Sequence, residues 1–417
     1  MTRMVVVGGG ASAVLTAAAA TRHEGVEEVV LVERSPRPGP GLAYGAAAPH
    51  HRLNSPAGRM SAWEDDPAHF LAWSAGTTEP QGAADFSPRR FYGDYLEAVL
   101  RALPRVRVVR GEAVGLERGV DRADTRVRLA DGDALRADAV VLALGNPPPS
   151  GRAADLAAAG TRVVRDPWAP GALDGLGRDV LLIGTGLTTV DVATSLARAD
   201  PAVRLTATSR HLLLPRVHLD EPQPAGPGIA GEPRRLADVI HGFRDRLRAA
   251  ETAGTAWQAE VDGVRPQVNR LWAALPSADR VRFVRHVSRH WEVHRHRMSP
   301  VVAAELQALL DGGRLVLGAP VGAYDAVVDC TGPRPVASRG WNPLVDDLLA
   351  RGAARPDALG IGFEVDAEGR VRTASGAVDD RLLVVGPARR GSQWESTAIP
   401  EIRAHATAVA GAVARLR

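Results

Sequence analysis

The sequence predicts an α/β protein with two Rossmann-like dinucleotide-binding domains and a mostly helical insertion. Three observations predict it. A short apolar strand, a glycine turn and a helix occur at 4–20, and the same order of features returns at 180–197. The strands around these turns are continuous apolar runs, as in a parallel sheet covered on both faces. Between about 232 and 312 the pattern turns helical, with charged and Trp-rich faces.

Composition narrows the function classes. The 417 residues are enough for two or more domains. With 51 basic against 48 acidic residues the net charge is +3, and no basic block or heptad array appears, so a nucleic-acid partner is not expected. Cys330 is the single cysteine, which excludes an intrachain disulfide, a C-x-x-C redox pair and a cysteine-rich zinc site. Every basic residue apart from histidine is arginine; without lysine there is no Schiff base and no Walker A loop. Gly8, Gly9 and Gly10 interrupt the apolar N-terminus, so it reads as strand and turn rather than signal peptide. No stretch is long enough to span a membrane, and a cytoplasmic location is expected.

In chain order, residues 4–7 form a buried strand, followed by a glycine turn and an Ala-rich helix to about Arg22. "EEVVLVER" (27–34) is a second buried strand. Residues 35–94 are irregular, and "FYGDYLEAVLRAL" (91–103) is helical. The alternation over 106–146 predicts three or four antiparallel strands, a hairpin at Asp131-Gly132 and a closing buried strand from Ala139 to Leu144 before Gly145. "PPPSGRA" (147–153) reads as a linker, and a new βαβ unit begins at Asp179. "YDAVVDCTG" (324–332) is strand-like. The tail, 381–416, supplies a strand, a loop and a long helix.

Gly8-Gly9-Gly10-Ala11-Ser12-Ala13 fits G-x-G-x-x-(G/A). The first glycine permits the tight turn, the second lets backbone approach a pyrophosphate at the helix N-terminus, and Ala13 is small enough for helix–strand packing. Glu33, about 20 residues on at the end of the second strand and followed by Arg34, is placed to accept both ribose hydroxyls of an adenosine. The position fits NAD or FAD. The strands at 106–138 and the closing "VVLALGN" with Gly145 are similar to FAD domains of two-dinucleotide flavoproteins, so FAD is assigned here.

Gly184-Thr185-Gly186-Leu187-Thr188-Thr189 keeps the first two glycines and puts threonine at the third small position, which predicts a helix packed slightly further off. At the end of the next strand stand Ser209 and Arg210 in place of a carboxylate. Arginine and serine can bind a ribose 2′-phosphate, which favours NADPH over NADH.

Longer stretches carry a resemblance: "GLAYGAAAPHHRLNSPAGRMSAWEDDPAHFLAW" (41–73), "FSPRRFYGDYL" (86–96), "RDPWAPGAL" (165–173), "IGTGLTTVD" (183–191), "SRHLLLPR" (209–216) and "WEVHRHRMSP" (291–300). Over nearly the whole chain it resembles a bacterial FAD/NAD(P)-binding family containing flavin-dependent urate hydroxylases and aspartate N-monooxygenases. The resemblance implies an FAD domain (1–165 and 336–417) interrupted by an NADP domain (166–335) that carries the helical insertion. It implies FAD contacts from Gly8, Gly10, Ala13 and Glu33, from Gly41, Tyr44, Asn54 and Met60, and from the return segment Gly386 through Thr397. The helix near Ile399 would point its positive N-terminal end at the flavin. Two departures stand out. The Gly-Asp pair that ends the last strand of related flavoproteins reads Gly386-Pro387 here. Of the F-x-G-x-x-x-H-x-x-x-(W/Y) fingerprint of many flavin monooxygenases, only Trp168 has a candidate position.

The resemblance implies that NADPH reduces FAD, and that reduced FAD with oxygen forms a C4a-hydroperoxide able to hydroxylate a nitrogen or an activated carbon. The expected substrate is a small polar, anionic metabolite of amino-acid or purine type. The rivals are an NADPH-dependent flavin reductase or dehydrogenase without oxygen transfer, and a non-enzymatic nucleotide-bound scaffold. Arg295, His296 and Arg297 are candidates to hold an anionic substrate, against a plain surface charge run. His286, His290 and His294 share i, i+4, i+8 spacing, but a charged, partly packed helix explains them better than a metal site. Trp63, Trp73, Trp257, Trp272 and Trp291 read as packing, Cys330 as a buried strand residue, and Asp191 as packing or capping.

Overall fold

The apolar runs become central strands in the structure, a computed structural model that describes residues 2–119 and 125–416. The first part of the chain forms β1 (Thr2–Val7), β2 (Val26–Glu33), β3 (Val106–Arg110), β4 (Ala113–Arg118), β5 (Thr125–Leu129), β6 (Ala134–Ala137) and β7 (Ala139–Leu142). The middle part forms β8 (Arg162–Val164), β9 (Asp179–Ile183), β10 (Arg204–Thr208), β11 (Leu315–Leu317) and β12 (Ala326–Asp329). The return segment adds β13 (Arg370–Arg372) and β14 (Val378–Val384).

The chain divides into two compact units. The first comprises Met1–Pro49, Pro56–Pro147 and Pro335–Arg417; the second comprises His50–Ser55 and Pro148–Arg334. The break at Pro147 falls before the 165/166 boundary expected from sequence. The reason is pairing: β8, at 162–164, lies parallel to β12 and completes the second sheet. Residues 50–55 join the second unit because His51 meets Ser195 Oγ (2.9 Å) and the Asp191 carbonyl (3.2 Å) on the helix Leu187–Ala199.

In the first unit the sheet order is β13-β14-β7-β1-β2-β3. All neighbours are parallel except the edge pair β13 and β14. Val5, Val7, Val30, Val32, Val140 and Leu142 supply one buried face. On the helix Ala11–Thr21, eight of eleven residues are buried, four of them alanine, and small side chains let it pack against the C-terminal helix Ile399–Ala414. One expectation is corrected. "VRVVR" was assigned to an antiparallel meander, but β3 pairs in parallel with β2. The helix Arg89–Ala102 makes the crossover that a parallel neighbour needs. Alternation in β3 records an edge strand with exposed positions and says nothing of its direction. The remaining strands, β4, β5 and β6, form a separate antiparallel sheet. Its hairpin turns at Asp131-Gly132, where Gly132 has φ +97°; residues 120–124 of the expected meander lie outside the described residues.

The second unit is a five-stranded parallel sheet of order β11-β10-β9-β12-β8. Helices fill most of 236–311, as expected. Two arginine–carboxylate pairs pin them. Arg246 reaches both oxygens of buried Glu260 at 3.0 Å, and Arg297, 2% exposed, meets Asp262 at 2.6 Å. Forked guanidinium geometry suits such bonds. Among the described residues, no helix is long and apolar enough to cross a membrane.

Two outcomes follow. Removing one partner of a buried ion pair strands the other charge, so Asp262→Asn should lower unfolding free energy by about 3 kcal/mol. Urea denaturation checks this; a midpoint equal to wild type would contradict the structural role. His405, on the C-terminal helix, is pushed down to about 3 by burial, with the positive Arg389 adding to the effect. Its folded form refuses a proton that the unfolded chain takes up below about pH 6.5. Stability is therefore full above that pH and falls towards pH 3, and the acid slope should be shallower in His405→Gln. Equal slopes in calorimetry at stepped pH would refute the assignment.

Candidate nucleotide sites

At the first turn, β1 runs out at Val7 and Gly8 adopts φ +118°. A Cβ there would overlap the carbonyl oxygen of Ala143, so glycine is required twice, by conformation and by space. Gly10 caps the helix Ala11–Thr21 in extended conformation (φ −85°, ψ −169°). Ala13 is fully buried and Ser12 nearly so. Glu33 lies beside the turn: a Cβ on Gly9 would stand 2.7 Å from its Oε2, while its Oε1 accepts the Ser35 N–H at 2.7 Å. That leaves one carboxylate oxygen facing the turn, as a ribose contact needs.

The turn gathers residues far apart in sequence. Gly41, at φ +58°, approaches so closely that a Cβ on it would lie 2.8 Å from the Gly10 Cα. Gly386, at φ +81°, brings its backbone against Ser12, whose Oγ would be 2.6 Å from an added Cβ. Gly145 has φ +69° with open space above it. Met60 is buried, and Tyr44 packs edge-on to Tyr92 at 4.8 Å. Thr397 lies just ahead of the helix Ile399–Ala414. Beside it, Ser396 is fully buried and its hydroxyl has no hydrogen-bond partner among the described residues, an orphaned polar group that a bound ligand would satisfy. Arg34 is exposed and faces Glu112 at 3.6 Å. Asn54 belongs to the 50–55 segment of the second unit, where its carbonyl accepts from His218 at 3.0 Å.

The second turn repeats the first. Gly184 has φ +120°, and a Cβ there would overlap the carbonyl oxygen of Cys330. Gly186 caps its helix at φ −89° and ψ −168°. Leu187 and Thr188 open that helix. Thr189 is fully buried and its hydroxyl donates to the Gly184 carbonyl at 2.8 Å. The threonine therefore fastens the turn that a third glycine would only accommodate. Ser209 meets Thr185 Oγ1 at 2.8 Å, and Thr185 also donates to the Leu213 carbonyl at 2.7 Å. Leu212 takes a left-handed φ of +51°, strained for leucine, and its N–H donates to Ser209 Oγ. Arg210 is exposed beside this loop. The buried Cys330 thiol is pushed well above its ordinary range by burial, so it is inert.

Sequence reasoning missed Arg289. Its Nη2 donates to the Leu213 carbonyl at 3.0 Å, and its guanidinium is what a Cβ on Gly186 would meet, at 3.7 Å. It sits just beyond a π-helical turn, Phe283–Val287. That turn inserts extra residues into the helix and breaks the i, i+4, i+8 register of His286 with His290 and His294. His290 lies near His211, ring centroids 6.0 Å apart, and His294 sits edge-on to Trp257 at 4.9 Å. Arg295, His296 and Arg297, the candidates to hold an anionic substrate, are each engaged or enclosed. Arg297 is buried on Asp262, His296 faces Glu292 at 3.2 Å, and Arg295 is itself buried, so the three do not present a free cationic surface. Trp168 packs edge-on to His51 at 6.0 Å. The five tryptophans named from sequence do pack: Trp272 is buried, Trp73 stacks with Phe70, Trp291 meets Phe243, Trp257 meets His294, and Arg22 lies over Trp63.

With this geometry in place, comparison with known proteins is direct. A family model described as FAD-NAD(P)-binding matches residues 5–147, from β1 through β7 and including the first turn and Glu33. No curated protein matches. Solved structures match over essentially the full chain. Reduced ornithine hydroxylase from Pseudomonas aeruginosa has 15% identity and a TM-score of 0.62, covering 100% of this chain and 99% of that one. L-lysine 6-monooxygenase from Pseudomonas syringae has 18% identity and a TM-score of 0.61, with the same coverage. The FAD-bound cadaverine monooxygenase of desferrioxamine biosynthesis from Erwinia amylovora has 12% identity and a TM-score of 0.67, covering 98% and 94%. At these identities the likeness establishes the fold, which this chain shares with these structures over nearly its full length.

Proposed function

We propose that the chain is an FAD-dependent, NADPH-consuming monooxygenase that hydroxylates a small polar metabolite, with an amino-acid or amine nitrogen as the favoured target. One observation carries this reading. Two glycine turns of the same backbone geometry are followed by side chains of opposite charge, a carboxylate at Glu33 and a hydroxyl with a guanidinium at Ser209 and Arg210. A carboxylate accepts ribose hydroxyls and repels a 2′-phosphate, whereas an arginine attracts that phosphate. The neighbours named for ornithine, lysine and cadaverine hydroxylation match both units rather than one, which supports the substrate class.

With FAD bound, the chemistry supplied is reduction by NADPH followed by activation of molecular oxygen for transfer of one atom. The protein's part is binding and orientation. Backbone N–H groups at the start of the helix Ala11–Thr21 hold the FAD pyrophosphate where Gly8 and Gly10 leave room. Glu33 fixes the adenosine ribose. Gly386, Ser396 and Thr397 close on the flavin end, and the N-terminus of Ile399–Ala414 offers partial positive charge to the reduced ring. Gly386-Pro387 lacks the aspartate of related flavoproteins, so the backbone there and the Ser396 hydroxyl are assigned to the ribityl chain.

The test is incubation of FAD-loaded protein with NADPH, ornithine, lysine, aspartate, cadaverine or urate, and labelled molecular oxygen. The expected result is one labelled oxygen atom in one product and much slower turnover with NADH. NADPH consumption with label only in water or peroxide would replace the monooxygenase reading by a reductase. A chain that takes up no FAD would remove the enzymatic reading altogether.

A further inference from the structure

The arginines of the 283–297 stretch divide by what they face. Arg297 is neutralised by Asp262. Arg289 has no carboxylate partner among the described residues and lies half-buried over the second glycine turn. Its Nη2 is held by the Leu213 carbonyl, with Thr185 Oγ1 at 3.5 Å. The same Leu213 carbonyl accepts from Thr185, which meets Ser209, which in turn accepts from Leu212. Leu212 adopts its left-handed conformation within this network, and an unfavourable backbone state persists only where surrounding structure fixes it. Nothing but the two terminal nitrogens of Arg289 lies within 4 Å of a Cβ built on Gly186, at 3.7 and 3.8 Å. Burial lowers the proton affinity of this guanidinium, with Glu292 partly opposing, as for a cation lacking its anion.

We propose that Arg289 is the pyrophosphate anchor of the second nucleotide site: a dinucleotide on the Gly184–Gly186 turn pairs its pyrophosphate with the guanidinium fixed there by Leu213. This rests on the NADPH reading above and divides the work between two arginines. Arg289, over the turn, addresses the phosphates common to NADP and NAD. Arg210, at the end of β10, addresses the 2′-phosphate that only NADP carries. Arginine suits the first task because one N–H of Nη2 keeps its protein contact while Nη1 and the other N–H of Nη2 offer an edge to phosphate oxygens. The helical segment 236–311 thereby contributes a ligand contact to a site otherwise built by the parallel sheet.

The test is calorimetric titration of the FAD-loaded full chain with NADP+ and, separately, NAD+. Charge-assisted hydrogen bonds of this kind set the scale. Arg289→Ala should weaken both nucleotides by about tenfold or more, in similar proportion, leaving their ratio unchanged. Arg289→Gln, which keeps a donor for the Leu213 carbonyl, should give the same loss, and serves if the alanine variant fails to fold. Arg210→Ala should weaken NADP+ and leave NAD+ near the wild-type value. Wild-type affinity for both nucleotides in the Arg289 variants would overturn the proposal alone, as would loss confined to NADP+. Wild-type protein that binds neither nucleotide would overturn the NADPH reading and this inference with it.

Discussion

Both candidate sites depend on the close approach of a glycine backbone to a carbonyl of the neighbouring strand segment. Gly8 lies against Ala143, and Gly184 against Cys330. In each case the glycine has a φ near +120°, follows a central parallel strand, and sits where the strand's C-terminal end gives way to a helix. A side chain at either position would force the closing strand away. The turn would open, the helix would leave its strand, and the backbone N–H groups at the helix start would no longer converge. Both candidate sites inherit their shape from this one approach.

The repetition extends beyond the turns. β7-β1-β2-β3 in one sheet and β12-β9-β10-β11 in the other follow the same spatial order. Differences are confined to what surrounds that frame. The first has Ala13 at the third small position; the second has Thr189, whose buried hydroxyl is bound to the Gly184 carbonyl. The first ends its second strand in Glu33, the second in the Ser209 and Arg210 loop. A shared frame with a carboxylate beside one turn and a guanidinium beside the other is what the proposed pair of different dinucleotides requires.

Local patterns carried most of the fold. Glycine turns, apolar strands, the Asp131-Gly132 hairpin and the helical middle all depend on neighbours in sequence, so they were legible. Partnership across the chain was not. The alternation in "VRVVR" revealed exposure but not that β3 lies parallel to β2. His50–Ser55 sits within an otherwise first-unit stretch, yet histidine contacts to Ser195 and Asp191 assign it to the second unit. The histidine spacing assumed a regular helix, and the π-helical turn broke it. Most telling is the basic cluster near 295. Sequence marked Arg295, His296 and Arg297, but carboxylates at 262 and 292 engage two of them. Arg289 has no carboxylate partner among the described residues, and only the fold shows which arginine has met its acid.

The central claim is that the two turns hold different nucleotides and that electrons pass from one to the other. The most direct measurement is anaerobic titration of the purified FAD-loaded chain with NADPH, followed by the flavin absorbance band. The account predicts stoichiometric bleaching by NADPH, with NADH far less effective. A flavin that stays oxidised with excess NADPH, or that bleaches equally with either nucleotide, would contradict it.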